Sequence, residues 1–130
     1  MKHFHIALAL VWRDDRVLVT KRRDDADHVP GLWEFPGGKC HEGETPSDCA
    51  VREAREETGI AIRITRQRTP ITYDYPERCV TLHPFDCEVI EGEAQPLQVA
   101  DVRWLLPHEL HLEEFPAANV GIIEDLKHPG

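Results

Sequence analysis

The chain has 130 residues, of which 41% are hydrophobic, enough for one compact core and too few for two, so residues 1–130 are expected to form a single domain. A formal net charge of −9 makes a nucleic-acid polymer an unfavourable partner, whereas a small phosphate compound can enter together with divalent metal. The 30% charged content is accompanied by too much apolar sequence for an intrinsically disordered chain.

Near the start, the apolar run 6–12 is too short to cross a bilayer and reads as a strand. With no export signal in view, a cytoplasmic monomer that does not engage membranes is expected. Arg13-Asp14-Asp15-Arg16 reads as a turn and 17–20 as a second, β-branched strand, giving a hairpin. A helix is marked over 46–58. Thr45 caps it, Pro46 suits its first position, Asp48 completes a capping-box-like pattern and Gly59 ends it in the left-handed conformation. Strand-like segments follow at 60–66, 80–90 and 102–105. A last helix is expected over 117–127, since Val120, Ile123 and Leu126 recur at helical spacing. Strands and helices interleave without repeats or linkers, which predicts an α+β fold with a mixed β-sheet between helices.

Cys40, Cys49, Cys79 and Cys87 show no Cys-x-x-Cys spacing and read as reduced, chemically quiet thiols. The eight histidines, at 3, 5, 28, 41, 83, 108, 111 and 128, are scattered without a paired ligand pattern.

On helix 46–58, Glu53, Glu56 and Glu57 stand at i, i+3 and i+4 and share a face, beside an apolar stripe of Ala50, Val51 and Ala54. Three ionised carboxylates so close repel, and each has its pKa raised unless a cation offsets the repulsion. Hard oxygen ligands without Cys or His suit Mg²⁺ or Mn²⁺ and leave room for water and phosphate oxygens. Alone, the cluster also reads as a solvated face with Arg52 and Arg55 as surface partners. Its context decides. Gly38-Lys39-Cys40-His41-Glu42-Gly43-Glu44, then seven residues, then Arg52-Glu53-Ala54-Arg55-Glu56-Glu57-Thr58-Gly59-Ile60 satisfies every fixed position of the Nudix box, and the chain resembles the Nudix hydrolases.

That resemblance implies a Nudix-type α/β/α sandwich and a hydrolase of phosphoric anhydride bonds. It implies Mg²⁺, replaceable by Mn²⁺, on Glu53, Glu56, Glu57 and the Gly37 carbonyl, with Arg52 orienting the acids and Glu44 bracing the loop. The segments Lys21-Arg22-Arg23 with His28, Leu32-Trp33-Glu34-Phe35-Pro36-Gly37-Gly38-Lys39 and Phe115-Pro116-Ala117-Ala118-Asn119 are similar to those of the MutT-like branch. For that branch the implied reaction is attack of water at the β-phosphorus of 8-oxo-dGTP, giving 8-oxo-dGMP and pyrophosphate and so cleansing the nucleotide pool. Implied nucleotide-contacting residues are Arg23, His28, Glu34, Phe35, Pro36, Gly37, Lys39, Arg78 and Asn119.

Asn119 carries the base selectivity in this reading. Its amide can accept from the N7–H of 8-oxoguanine while donating to O6, whereas guanine presents acceptors at both positions. A helix cap is the competing role for Asn119, and core packing for Phe35. One departure stands out. MutT-like enzymes often place a glutamate before the Trp104 strand, but here Gln98 stands there, so base duty falls to Glu53, to Glu56 or to the metal-activated water. Two other readings remain open: a pyrophosphohydrolase of another nucleotide such as CTP or dCTP, and a noncatalytic module that senses 8-oxoguanine.

Overall fold

The computed structural model describes residues 2–23 and 31–128. β1 (Lys2–Arg13) and β2 (Arg16–Lys21) form the expected hairpin, with Asp14 in the left-handed conformation at φ 57° that short polar side chains tolerate. β1 extends four residues further towards the N-terminus than its apolar run. The added residues alternate between the sheet faces and pair with a strand far away in sequence.

That partner is β7 (Arg78–Glu91), which runs parallel to β1 from Lys2 opposite Arg78 to Trp12 opposite Glu88. The other edge of β1 is divided. Ile6, Ala7 and Leu8 pair with β4 (Gly37–Lys39), and Trp12 and Arg13 with β2. β2 continues along β3 (Trp33–Glu34) on that side and along β8 (Asp101–Leu105) on its other edge. β5 (Ala61–Gln67) and β6 (Ile71–Tyr75) both lie antiparallel to β7. The sheet is therefore mixed, as the interleaved pattern predicts.

Period-two alternation divides the core between the sheet faces. Ala7, Ala9, Val11 and Leu18 meet α1 (Pro46–Thr58), together with Ile60, Ile62, Phe85 and Cys87. Leu8, Leu10, Val17 and Val19 meet α2 (Val120–Lys127), together with Phe35, Leu82, Phe115 and Ile123. The small alanines of β1 allow α1 to approach closely, and α1 carries the acidic triplet.

Several expectations are corrected. The buried stripe of α1 is Cys49, Ala50, Ala54 and Thr58, while Val51 is exposed, because the sheet meets the helix one position round from the apolar stripe read in sequence. The last helix does not begin at 117. Ala117–Asn119 is a 3₁₀ turn following the extended Pro116, and α2 starts at Val120. β3, β4 and β6 had no sequence counterpart, being short or glycine-rich.

Candidate active site

The local rules at the start and end of α1 are met. Thr45 Oγ1 accepts the Asp48 N–H at 3.2 Å, Pro46 occupies the first turn, and Gly59 turns left-handed at φ 80° so that its N–H reaches Arg55 O. With both ends fixed, Glu53 and Glu57 rise one turn apart towards β3 and β4. They form one wall of a cavity of about 490 Å³ that also takes in Arg22, Glu34, Phe35, Gly37, Gly38, Lys39, Tyr75, Arg78 and Asn119.

The acidic end is crowded. The Gly37 N–H donates to Glu57 Oε1 at 3.1 Å, and a Cβ on Gly38 would stand 2.7 Å from the Glu53 carboxyl carbon. A side chain at 38 would therefore displace the Glu53 carboxylate, while at Gly37 a Cβ would stand 2.1 Å from the Ala7 backbone oxygen, so glycine is required there. Burial raises the Glu57 carboxyl to about 9, and the neighbouring Glu34 adds to the rise while the Gly37 N–H opposes it. Glu53 is also raised, chiefly by burial, against the pull of Arg52. Glu34 is raised by burial too, although Arg22 Nη1 donates to its two oxygens at 3.1 and 3.3 Å.

A second layer holds these acids in place. Arg52 donates Nε to Glu44 Oε2 at 2.8 Å and Nη2 to Glu44 Oε1 at 3.0 Å, the bidentate pairing suited to a planar guanidinium. Its Nη1 reaches Glu53 Oε1 at 2.8 Å and Glu56 Oε2 at 3.1 Å. The Arg52 bonds hold Glu44 at about 2, well below the usual carboxylate range, with help from the His41 N–H at 3.0 Å. Glu56 faces Arg52 and is outside the cavity lining. Of the sequence triplet, the structure brings only Glu53 and Glu57 to the cavity, and the acid that joins them there is Glu34.

No three His, Cys, Asp or Glu side chains among the described residues already form a closed metal cage. The donor set fits a hard divalent cation through its chemistry: carboxylate oxygens converging from α1 and β3, raised in pKa by burial and by one another, beside a backbone that admits no side chain.

At the other end stands Asn119. It is 5% exposed, makes no capping hydrogen bond, and its Oδ1 is buried without a partner. The capping role considered for it is therefore not the one it performs. An unpaired buried acceptor costs ~1–3 kcal/mol, so its position on the cavity wall points to a donor arriving with a ligand. Phe35 serves the core and the cavity together, fully buried against Phe115 with ring centroids 5.7 Å apart.

Towards the mouth, Lys39 Nζ lies 4.2 Å from the Phe4 ring centroid and the Arg78 guanidinium 5.1 Å from that of Tyr75. Pro36 is buried beside the cavity with its carbonyl accepting Ala9 N–H, and Arg23 is exposed; neither lines it. His28 lies outside the described residues. Gln98 is exposed, and its N–H donates to Glu57 O, tying the loop to the end of α1 rather than entering the cavity. Sequence reading missed Arg22, Phe4 and Tyr75. Arg22 carried a usable signal, since one residue past β2 it continues the alternation of Leu18 and Thr20 on the face that meets α1. The histidines are less scattered than they read: His5 Nδ1 and His83 Nε2 are 2.9 Å apart, and His3 stacks on His5.

A NUDIX domain model matches residues 2–126. The chain is 34% identical to an 8-oxo-dGTP diphosphatase of Escherichia coli K12 over 98% of both chains. It is 28% identical to a CTP pyrophosphohydrolase of the same organism over 95% of this chain and 91% of that one. In fold it is similar to a MutT protein of Methanosarcina mazei Go1, with a TM-score of 0.84 at 21% identity over 97% of this chain and 94% of that one. Its cavity, its acidic helix and these likenesses agree: the chain belongs to the Nudix hydrolase family.

Proposed function

We propose that the protein hydrolyses 8-oxo-dGTP to 8-oxo-dGMP and pyrophosphate in the cytoplasmic nucleotide pool, using Mg²⁺, which Mn²⁺ can replace. The observation that carries this reading is the unpartnered Oδ1 of Asn119. It accepts from the N7–H that only the oxidised purine offers, whereas guanine would set N7 against it, acceptor to acceptor. The 34% identity to an 8-oxo-dGTP diphosphatase supports the same choice.

Nudix hydrolases work with divalent metal, and here Glu53, Glu57 and the Gly37 carbonyl would hold it, with Glu56 joining them only on leaving Arg52. Bound there, such a cation would offset the carboxylate repulsion and would supply Lewis-acid chemistry towards the phosphate chain and water. The chain's own groups do the rest. Arg52 fixes Glu53 through Oε1, leaving Oε2 to take the proton of the attacking water, and the raised pKa of Glu53 brings it nearer the range a general base needs. Water oxygen bonds to the β-phosphorus, the bridging oxygen leaves with the nucleoside monophosphate, and pyrophosphate follows. Lys39 and Arg78 meet the phosphates and sugar, Phe35 backs the base, and Glu44 steadies Arg52.

A second reading has its own support. Cytosine N4–H₂ is also a donor that satisfies Asn119 Oδ1, and a CTP pyrophosphohydrolase is among the relatives. Pyrophosphate release from 8-oxo-dGTP, dGTP, CTP and dCTP, each with and without Mg²⁺, decides between them. The oxidised purine should be hydrolysed with the highest kcat/KM and only with metal. A preference for CTP or dCTP would replace the first reading with the second, and no turnover of any of the four would favour a sensing module.

A further inference from the structure

We propose that His5 and His83 form a second, separate metal site on the α1 face of the β1–β7 pair, a two-nitrogen chelate for a borderline divalent cation such as Zn²⁺ or Ni²⁺. Their ring nitrogens Nδ1 and Nε2 stand 2.9 Å apart, although the residues are 78 positions apart in sequence. Parallel pairing puts Thr81 opposite His5 and His83 opposite Ala7, and the pleat sends His3, His5, Ala7, Thr81, His83 and Phe85 to one face. α1 covers that face over Ala7 and Phe85, while the exposed His3 and His5 and the half-buried His83 lie beyond that cover. The cavity lies on the opposite face of the same strands, against Phe4, Ile6, Val80 and Leu82.

The spacing suits a chelate. With metal–nitrogen bonds of about 2.0–2.1 Å, nitrogens 2.9 Å apart subtend roughly 90° at a shared cation. Imidazole is a donor that suits zinc and nickel, whereas Mg²⁺ prefers oxygen, so the two sites divide the metals by chemistry. Burial, with His5 and His3 beside it, holds His83 below the usual histidine range, which keeps its ring neutral with a lone pair to offer. In the metal-free pair one nitrogen donates its proton towards the other. A cation takes that proton's place, and the proton moves to the far nitrogen of its own ring, so both rings stay neutral.

The surroundings hold the rings in place. His3 stacks on His5 with centroids 4.7 Å apart and planes 14° from parallel. Its Nε2 is anchored 2.6 Å from Thr81 Oγ1, itself 3.0 Å from Thr72 Oγ1 of β6. The His5 backbone is fixed as well, since its carbonyl accepts the Cys40 N–H from the chain leaving β4. No third His, Cys, Asp or Glu among the described residues completes a cage, so water fills the other coordination positions and the cation is exchangeable. Bound there, it clips β1 to β7 near the start of their parallel pairing, whatever the acidic site hydrolyses.

The test adds Zn²⁺ or Ni²⁺ to the full chain in excess Mg²⁺ and follows thermal melts and the NMR signals of the histidine rings. Zn²⁺ should raise Tm by several degrees, the rise growing with the logarithm of its concentration. Ni²⁺ is paramagnetic and should broaden the ring signals of His5 and His83 before those of any other histidine except the stacked His3. His5→Gln and His83→Gln should each abolish both effects, yet leave unchanged the Mg²⁺-dependent hydrolysis of whichever nucleoside triphosphate the protein turns over best. Should a variant fail to fold, the Ni²⁺ broadening in the wild type decides alone. A Tm rise that survives both substitutions, broadening that spares His5 and His83, or no response to either ion would each overturn the proposal.

Discussion

Glu57 combines burial with a carboxylate neighbour in Glu34, opposed by the Gly37 N–H and the charge of Arg22. Its carboxyl is raised to about 9 from an ordinary 4.5, so between these values the folded chain keeps a proton that the unfolded chain has released. Stability of the metal-free protein should accordingly decline as pH rises through that window, with the contribution intact below it. Thermal melts of the wild type should show Tm falling towards alkaline pH without metal and recovering on addition of Mg²⁺. Glu57→Gln should flatten the decline, remove most of the Mg²⁺ effect and cut turnover by at least ~100-fold, since it removes a charge that the metal needs. Near-native turnover of Glu57→Gln at saturating Mg²⁺ would show that Glu57 is not a metal ligand.

At the level of elements, α1 and β4 act as one unit, and they were unequally legible. The bounds of α1 could be read because Thr45, Pro46 and Gly59 act within their own turns. β4 could not, because three residues containing two glycines have no periodicity of their own and become a strand only by pairing with Ile6, Ala7 and Leu8. The same distinction explains the sites. Glu53 was found from spacing along one helix and Arg52 from the resemblance of segment 38–60 to the Nudix box, while Glu34 enters the acidic end through the pairing of β3 with Thr20, and Arg22 by standing one residue past β2. Glu56 was read as equal to its neighbours, yet Arg52 takes it to the outside, since helical spacing gives a shared face but not its rotation against the sheet. The close approach of β4 to α1 makes a sharp prediction. Gly38→Ala places a methyl about 2.7 Å from the Glu53 carboxyl carbon, so kcat should fall by at least ~10-fold while far-ultraviolet circular dichroism stays native. A Gly38→Ala enzyme with wild-type kcat would mean that Glu53 need not stand against β4 during turnover.

Across the whole molecule, the acidic and base-reading ends of the cavity come from opposite sides of the sheet: Glu53 and Glu57 from α1, Asn119 from the turn that leads into α2. Fold class and the mixed sheet were legible from the interleaving of strands and helices, but the parallel β1–β7 pair that joins the two ends links residues more than seventy positions apart and left no local trace. Asn119 shows the same limit, because its position before a helix suggests a cap and only packing turns its amide inward. The central claim is that this amide selects the oxidised base while the other end performs hydrolysis. Steady-state kcat/KM for 8-oxo-dGTP and for dGTP, measured on wild type and Asn119→Ala, tests it most directly. The account predicts that the ratio of the two falls by roughly one to two orders of magnitude, matching a lost interaction of ~1–3 kcal/mol, with dGTP turnover changed less. A ratio left intact, with both activities and Tm lowered in parallel, would contradict it and leave Asn119 a structural residue.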